Sequence, residues 1–204
     1  LDRVLHRRLS RPITRLAVAR GVTPNQVTLA SLAAGAAAVF CLAQGTLVLS
    51  LAGLALYLLA VVLDHADGEV ARLTLTESRL GEWLDIAVDT AVHSGIVIVL
   101  GAITQRLAGQ GGLLLGVVAA AGFIGGAVMF KTSPPVGGPG IAGVLDALSN
   151  RDGFYVMLLA FVALRAWAPA LLPVLMVVVA LGAHAFWLAR LVYVVRRASP
   201  AARR

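Results

Sequence analysis

Residues 64–89 read DHADGEVARLTLTESRLGEWLDIAVD and set four aspartates, Asp64, Asp67, Asp85 and Asp89, into sequence that is otherwise mostly apolar. The preceding run, residues 48–63, is VLSLAGLALYLLAVVL, and apolar sequence resumes after Asp89. An ionisable side chain in or at the edge of a membrane segment costs about 3 kcal/mol or more unless it is paired, hydrated or bound to a cation. Carboxylates close together also repel one another. The stretch therefore asks for a counter-charge, most simply a metal ion.

The composition says what surrounds that stretch. Of 204 residues, 59% are hydrophobic and only 13% charged, against roughly 25% charged in a soluble domain. Mean hydropathy is +0.89. This is the composition of an integral membrane protein, and about six spans of about 20 residues use up nearly the whole length, leaving no room for a separate soluble domain. The formal charge of +7 comes from Arg clusters beside apolar segments. Without aromatic interleaving or a nucleic-acid-binding pattern, these read as topology signals and lipid-headgroup contacts, not as a nucleic-acid surface. The single Cys41 lies in a predicted span and makes neither an intramolecular disulfide nor a metal cluster.

In chain order, Leu5, Leu9, Ile13 and Leu16 recur at helical spacing, with Arg3, Arg7, Arg11 and Arg15 on another face. This predicts an amphipathic interfacial helix, kinked or restarted at Pro12 with Ser10 as a cap. No cleavable signal peptide is expected, since about twenty basic and amphipathic residues precede the first span. Predicted spans then cover about residues 26–44, 48 into the aspartate stretch, 81–103, 111–130, 152–167 and 169–195. Small residues in the first favour close helix packing. KTSPPVGGPG, residues 131–140, is a loop, residues 141–148 suit a short surface helix, and Asn150 or Asp152 suits the cap of the fifth span. The domain reading is a juxtamembrane segment at 1–22, a six-helix membrane domain at 23–197 and a polar basic tail at 198–204.

Six spans put both termini on one side. That side collects the six N-terminal arginines, Arg72, Arg79, Lys131, Arg151, Arg190, Arg196, Arg197, Arg203 and Arg204, leaving only Arg106 and Arg165 of the 17 Lys and Arg for the other. Lys and Arg stay cytoplasmic, so the aspartate stretch is expected at the cytoplasmic face, of the inner membrane if the source is prokaryotic.

Asp64 and Asp67 lie three apart and Asp85 and Asp89 four apart, so each pair shares a helix face. The short connection, about residues 74–80, makes the two helices antiparallel neighbours. Two facing carboxylate pairs form an oxygen cage for a hard divalent cation, and Mg²⁺ typically fills its remaining positions with substrate phosphate and water. Gly68 and Ala71 share the Asp64 and Asp67 face, and Gly81 sits one turn before Asp85, so a ligand meets almost no side chain there. Arg72 offers a diphosphate two charge-assisted hydrogen bonds.

The spacing Asp64-x-x-Asp67-Gly68-x-x-Ala71-Arg72, eight residues, Gly81, three residues, Asp85, three residues, Asp89 resembles the complete signature of the CDP-alcohol phosphotransferase (phosphatidyltransferase) family, with weaker support from Pro24, Asn25 and Thr28. The resemblance implies an all-α membrane fold of six helices around a polar cavity open to the cytoplasm. It implies two divalent ions, Mg²⁺ or Mn²⁺, held by Asp64, Asp67, Asp85 and Asp89, and a CDP-linked donor from which CMP leaves. Asp89 matches the family's base for the acceptor hydroxyl; Asp67, Gly68, Ala71, Arg72 and Gly81 match its nucleotide site. Asn25 and Thr28 have two readings, caps of the first span or nucleotide contacts.

Other polar residues carry weaker expectations. Glu69, Glu77 and Glu82 read as solvated or ion-paired surface groups, although Glu69 is close to the motif. His65 and His184 read as hydrogen-bonded packing residues. His93 continues the Gly81, Asp85, Asp89 face and has a second reading, orienting Asp89 or touching substrate. Lys131 and Arg151, at cytoplasmic helix ends, read as topology signals or, by analogy with relatives whose acceptor carries a phosphate, as acceptor-binding groups. The run TPNQVTLASLAAG looks more like the entry segment of inositol-phosphate-using relatives, such as di-myo-inositol-phosphate phosphate synthases, than that of phosphatidylglycerophosphate synthases. Phosphatidylserine or phosphatidylglycerophosphate synthesis is the alternative acceptor class. A divalent cation transporter is the alternative of another kind, disfavoured because the carboxylates cluster at one face beside Arg72. A homodimer, and an upstream cytosolic domain such as one that makes the CDP donor, are both open on this sequence.

Overall fold

The structure, a computed structural model, describes residues 7–109, 111–132 and 151–198, with the backbone alone for residues 7, 151, 152 and 196–198. All regular elements among these are helical: α1 (Arg7–Ala19), α2 (Pro24–Ala43), α3 (Leu47–Thr74), α4 (Arg79–Ala108), α5 (Gly112–Thr132), α6 (Arg151–Trp167), a 3₁₀ turn (Pro169–Leu171) and α7 (Leu172–Ala198). Among the described residues, five helical segments are long and apolar enough to cross a membrane, namely α2 to α5 and Pro169–Val195. The sixth expected span is shorter: α6 has 17 residues, about 25 Å at about 1.5 Å per residue against a hydrocarbon core of about 30 Å. The expected surface helix at 141–148, most of the loop before it and Asn150 lie outside the described residues, and Asp152 falls within α6.

The chain divides into two compact units, Leu1–Ile96 and Val97–Arg204. In the first, the start of α2 is fixed by Thr23. Its Oγ1 accepts from Gln26 N–H at 3.4 Å while the Gln26 side chain accepts from Thr23 N–H at 2.9 Å, a reciprocal capping box with Pro24 at the first helical position. Thr23 is therefore the cap, and neither Asn25 nor Thr28 is. α2 packs along α3, and Gly35 makes the adjacent approach of α4 close: a Cβ there would run into the Val92 side chain.

α1 also packs on α3, with Ala17, Val27, Ala66 and Val70 in a buried cluster joined by Ile13, Val22 and Leu63. Two expectations for α1 are corrected. Pro12 lies inside one continuous helix, so no second helix restarts there; its side chain is exposed, so the carbonyl that loses its partner can meet solvent. Ser10 is a fully buried contact residue and not a cap. The buried face carries Ser10, Thr14 and Ala17, while Leu9 and Leu16 point outward with Arg8, Arg11 and Arg15.

α3 ends on Leu75, a left-handed residue at φ 54°, ψ 36° whose N–H returns to the last turn of the helix. Only residues 75–78 then separate α3 from α4. Tyr57 meets His93, and Asp67 lies near Asp85. One partner's number rises as the other's falls, which is the register of an antiparallel pair.

In the second unit, the end of α4 and α5 approach through glycine. A Cβ on Gly101 would sit 2.6 Å from Gly112 O and 2.8 Å from Gly116 Cα. α5 packs on α7, where Gly122 faces Ala183. Large apolar side chains such as Phe40, Val48, Ile124 and Leu181 stay exposed along the long helices, as lipid-facing surfaces do.

Candidate metal and nucleotide site

The two aspartates of α3 are buried, Asp64 at 7% exposure and Asp67 at 6%. Each of Asp64, Asp67 and Asp85 brings a carboxylate oxygen within 4.8 Å of the other two. A buried anion cluster of this kind is costly unless a counter-charge compensates it. Thr28 places a hydroxyl 2.6 Å from Asp67 Oδ2 and 3.1 Å from the carbonyl of Pro24. Asp85 Oδ1 is buried with no hydrogen-bond partner. An orphaned carboxylate oxygen beside two buried carboxylates fits a hard divalent cation, which takes oxygen ligands.

A cleft of ≈ 470 Å³ opens beside this cluster, within the usual range of ligand pockets. Asn25, Thr28, Asp67, Gly68, Ala71, Arg72, Gly81 and Asp85 all line it. The floor is low in side chains, as expected. A Cβ on Gly68 would meet nothing nearer than the Arg72 guanidinium at 3.4 Å, and one on Gly81 would meet Ser78 Oγ at 3.1 Å and Asn25 Oδ1 at 3.4 Å. Arg72 thus folds back over Gly68, and both line the cleft.

Asp89 lies one turn further along α4 and is outside the cluster of three. Its side chain is 34% exposed, with Oδ1 3.5 Å from His93 Nδ1. His65 Nδ1 turns to the Val61 carbonyl of its own helix at 2.8 Å. In the second unit, His184 Nε2 meets the Val118 carbonyl at 2.9 Å while its Nδ1 accepts from Trp187 at 3.1 Å, a packing role as expected. Lys131 is half-buried in the last turn of α5. Arg151 is in α6, but its side chain lies outside the described residues. Arg190, grouped with the tail charges by sequence, is buried at 6% exposure and stacks on Phe130 and Phe186.

Several features had no sequence signal. Glu69, read as a surface group, accepts from Ser10 at 3.1 Å and Thr14 at 2.7 Å, tying α1 to α3, the helix of Asp64 and Asp67. Glu77 and Glu82 are exposed as expected, yet both line the cleft with Thr76, Ser78 and Arg79. Tyr57 was hidden in an apolar run, and only the antiparallel register reveals its partner.

Fold and site together define a helical membrane protein with an acidic cluster at a cleft that Gly68, Gly81, Arg72 and Arg79 line. Comparison with known proteins gives the class its name. The sequence model of CDP-alcohol phosphatidyltransferase matches residues 21–133, and the chain belongs to that family of transferases. It is 40% identical over 101 residues to a bifunctional IPC transferase and DIPP synthase of Thermococcus kodakarensis, covering 49% of this chain and 22% of that protein. A CDP-diacylglycerol–serine O-phosphatidyltransferase of Mycobacterium leprae is 39% identical over 88 residues, 43% of this chain and 28% of that one. The matched regions thus span less than a third of these relatives. The fold is shared with the phosphatidylinositol phosphate synthase of Mycobacterium tuberculosis, solved with CDP-DAG bound, at TM-score 0.67 and 19% identity over 90% of this chain and 92% of that one.

Proposed function

We propose that this protein transfers a substituted phosphate group from a CDP-linked alcohol, such as CDP-diacylglycerol, to a hydroxyl acceptor and releases CMP. The observation that carries this reading is the orphaned Asp85 Oδ1 beside buried Asp64 and Asp67, at the edge of a cleft that Gly68, Arg72 and Gly81 line. Asp64, Asp67, Asp85 and Asp89 are the residues to hold Mg²⁺ or Mn²⁺, two ions by the family resemblance. Such ions, when bound, neutralise a diphosphate and stabilise the leaving phosphate.

The chain's own groups do the rest. Gly68, Ala71 and Gly81 leave room for the base and sugar, with Asn25 and Thr28 lining the same cleft. Arg72 fixes the diphosphate through charge-assisted hydrogen bonds. The acceptor oxygen bonds to the phosphorus carrying the alcohol, and the bond from that phosphorus to the oxygen of the CMP phosphate breaks. Asp89 takes the hydroxyl proton. Its carboxylate is a weak base, so positioning supplies much of the acceleration.

The acceptor we propose is an inositol phosphate, bound through Lys131 and Arg151. The TPNQVTLASLAAG entry segment supports it, as does the DIPP synthase name shared by the relatives from Thermococcus kodakarensis and Archaeoglobus fulgidus. A serine acceptor is the second reading, favoured by the mycobacterial relative. The site faces the cytoplasm in this proposal, on the charge asymmetry of the sequence. Residues 23–197 form the transferase domain, preceded by a juxtamembrane segment and followed by a basic tail. A CMP-release screen of the purified protein across inositol phosphate, inositol, glycerol phosphate, serine and choline tests the assignment. Release with inositol phosphate alone, weakened in Lys131→Ala and Arg151→Ala, fits it; release with serine alone overturns the acceptor, and no release with any overturns the activity.

A further inference from the structure

Tyr57, His93 and Asp89 form a chain of contacts between α3 and α4. Tyr57 is 1% exposed and His93 7%. His93 Nδ1 lies 2.7 Å from the main-chain carbonyl of Asp89 and 3.5 Å from Asp89 Oδ1, while Nε2 lies 2.9 Å from the Tyr57 hydroxyl. A carbonyl oxygen only accepts, so Nδ1 carries a proton, and in the neutral ring Nε2 then accepts from Tyr57. The two rings meet edge to face, 5.8 Å apart at 80°.

A helical histidine that satisfies Nδ1 on its own preceding turn has no need of a second helix. Here a buried tyrosine from α3 grips the other nitrogen and fixes the plane of the ring. The fixed plane points one N–H at both oxygens of Asp89, the main-chain one as a full hydrogen bond and the carboxylate one as a longer electrostatic contact.

We propose that His93, oriented by Tyr57, is a positioning residue that holds the Asp89 carboxylate in its working rotamer. This rests on the reading of Asp89 as the base for the acceptor hydroxyl. Displacing a reacting group by about 1 Å costs about 100-fold in rate, and losing a partner that orients an active group costs about 10–100-fold.

The two ring nitrogens can be separated by substitution. In His93→Asn the amide nitrogen falls near the place of Nδ1, whereas in His93→Gln it reaches toward Nε2 and Tyr57. Steady-state CMP release from CDP-diacylglycerol by the full chain in detergent is measured for both, with Mn²⁺ affinity by electron paramagnetic resonance and thermal midpoints alongside. We expect kcat to fall about 10–100-fold in His93→Gln with donor KM kept, His93→Asn to recover most of that loss, and Tyr57→Phe to fall between. Equal losses in the Asn and Gln variants, or losses that follow the thermal midpoint, overturn the proposal in favour of simple packing. Asp89→Asn separates the two readings: full CMP release in that variant overturns the base assignment and this inference together. An inactive Asp89→Asn beside a fully active His93→Gln overturns this inference alone.

Discussion

Thr28 donates its hydroxyl to Asp67 across a buried contact of 2.6 Å, joining the first turns of α2 to the acidic cluster on α3. The bond holds one oxygen of Asp67 and so sets the direction of the other. Hydrogen bonds to charged groups are worth about 1.5–3 kcal/mol, roughly 10–100-fold in an equilibrium constant. Thr28→Val, which keeps the shape and removes the donor, is expected to weaken Mn²⁺ binding by about that factor, and Thr28→Ser to restore it. Titration followed by electron paramagnetic resonance checks this; unchanged affinity in Thr28→Val contradicts it.

Gly68 separates ligand room from folding. The Cβ of Gly68→Ala would approach only the flexible end of Arg72, at 3.4 Å. The thermal midpoint should stay within a few degrees, because surface substitutions away from tight contacts change stability by about 0.5 kcal/mol or less. CMP affinity should fall at least about tenfold if the nucleotide approaches the backbone there. Calorimetric CMP titration beside a thermal melt reads both quantities, and wild-type CMP affinity would remove Gly68 from the nucleotide site.

Glu69 anchors α1 through Ser10 and Thr14. Glu69→Ala leaves the buried Ser10 hydroxyl without its acceptor, a cost of about 1–3 kcal/mol, while Thr14 keeps the Ser10 carbonyl at 3.0 Å. Amide hydrogen exchange should accelerate across Arg8 to Ala19, with α2 protected as before. Unchanged exchange in α1 would mean that the apolar cluster around Ala17 and Val70 holds it without Glu69.

Gly101 tests the second unit. Its Cβ would meet the backbone of Gly112 and Gly116 at 2.6 and 2.8 Å, and backbone cannot rotate away as a side chain does. Gly101→Ala is expected to lower stability by about 1–3 kcal/mol, the cost of overpacking, measured as a drop in the thermal midpoint in detergent. A wild-type midpoint would place this crossing elsewhere.

The spans and the aspartate spacing were legible in sequence because both rest on period. Apolar runs mark helices, and three- and four-residue offsets put Asp64 with Asp67 and Asp85 with Asp89 on shared faces. What stayed hidden depends on partners far along the chain. Glu69 reads as solvated because its hydroxyl partners lie 59 and 55 residues away, and Tyr57 reads as one more apolar residue until His93 comes opposite it. α1 shows the same limit: its leucine stripe is the obvious face, yet the face that packs on α3 is the smaller one of Ser10, Thr14 and Ala17. The cap of α2 fell to Thr23 because the reciprocal bond with Gln26 satisfies two end groups at once.

In the proposed function, Asp64, Asp67 and Asp85 form a divalent-metal centre that serves CMP release from a CDP-linked donor. It is tested most directly by CMP release from CDP-diacylglycerol as a function of Mg²⁺, in the wild type and in Asp85→Asn. Release should require the ion, stop with a chelator and fall at least about 100-fold in the variant, since even groups that only support a ligand cost about 10–100-fold. Release that persists without divalent ions, or that Asp85→Asn leaves undiminished, would contradict it.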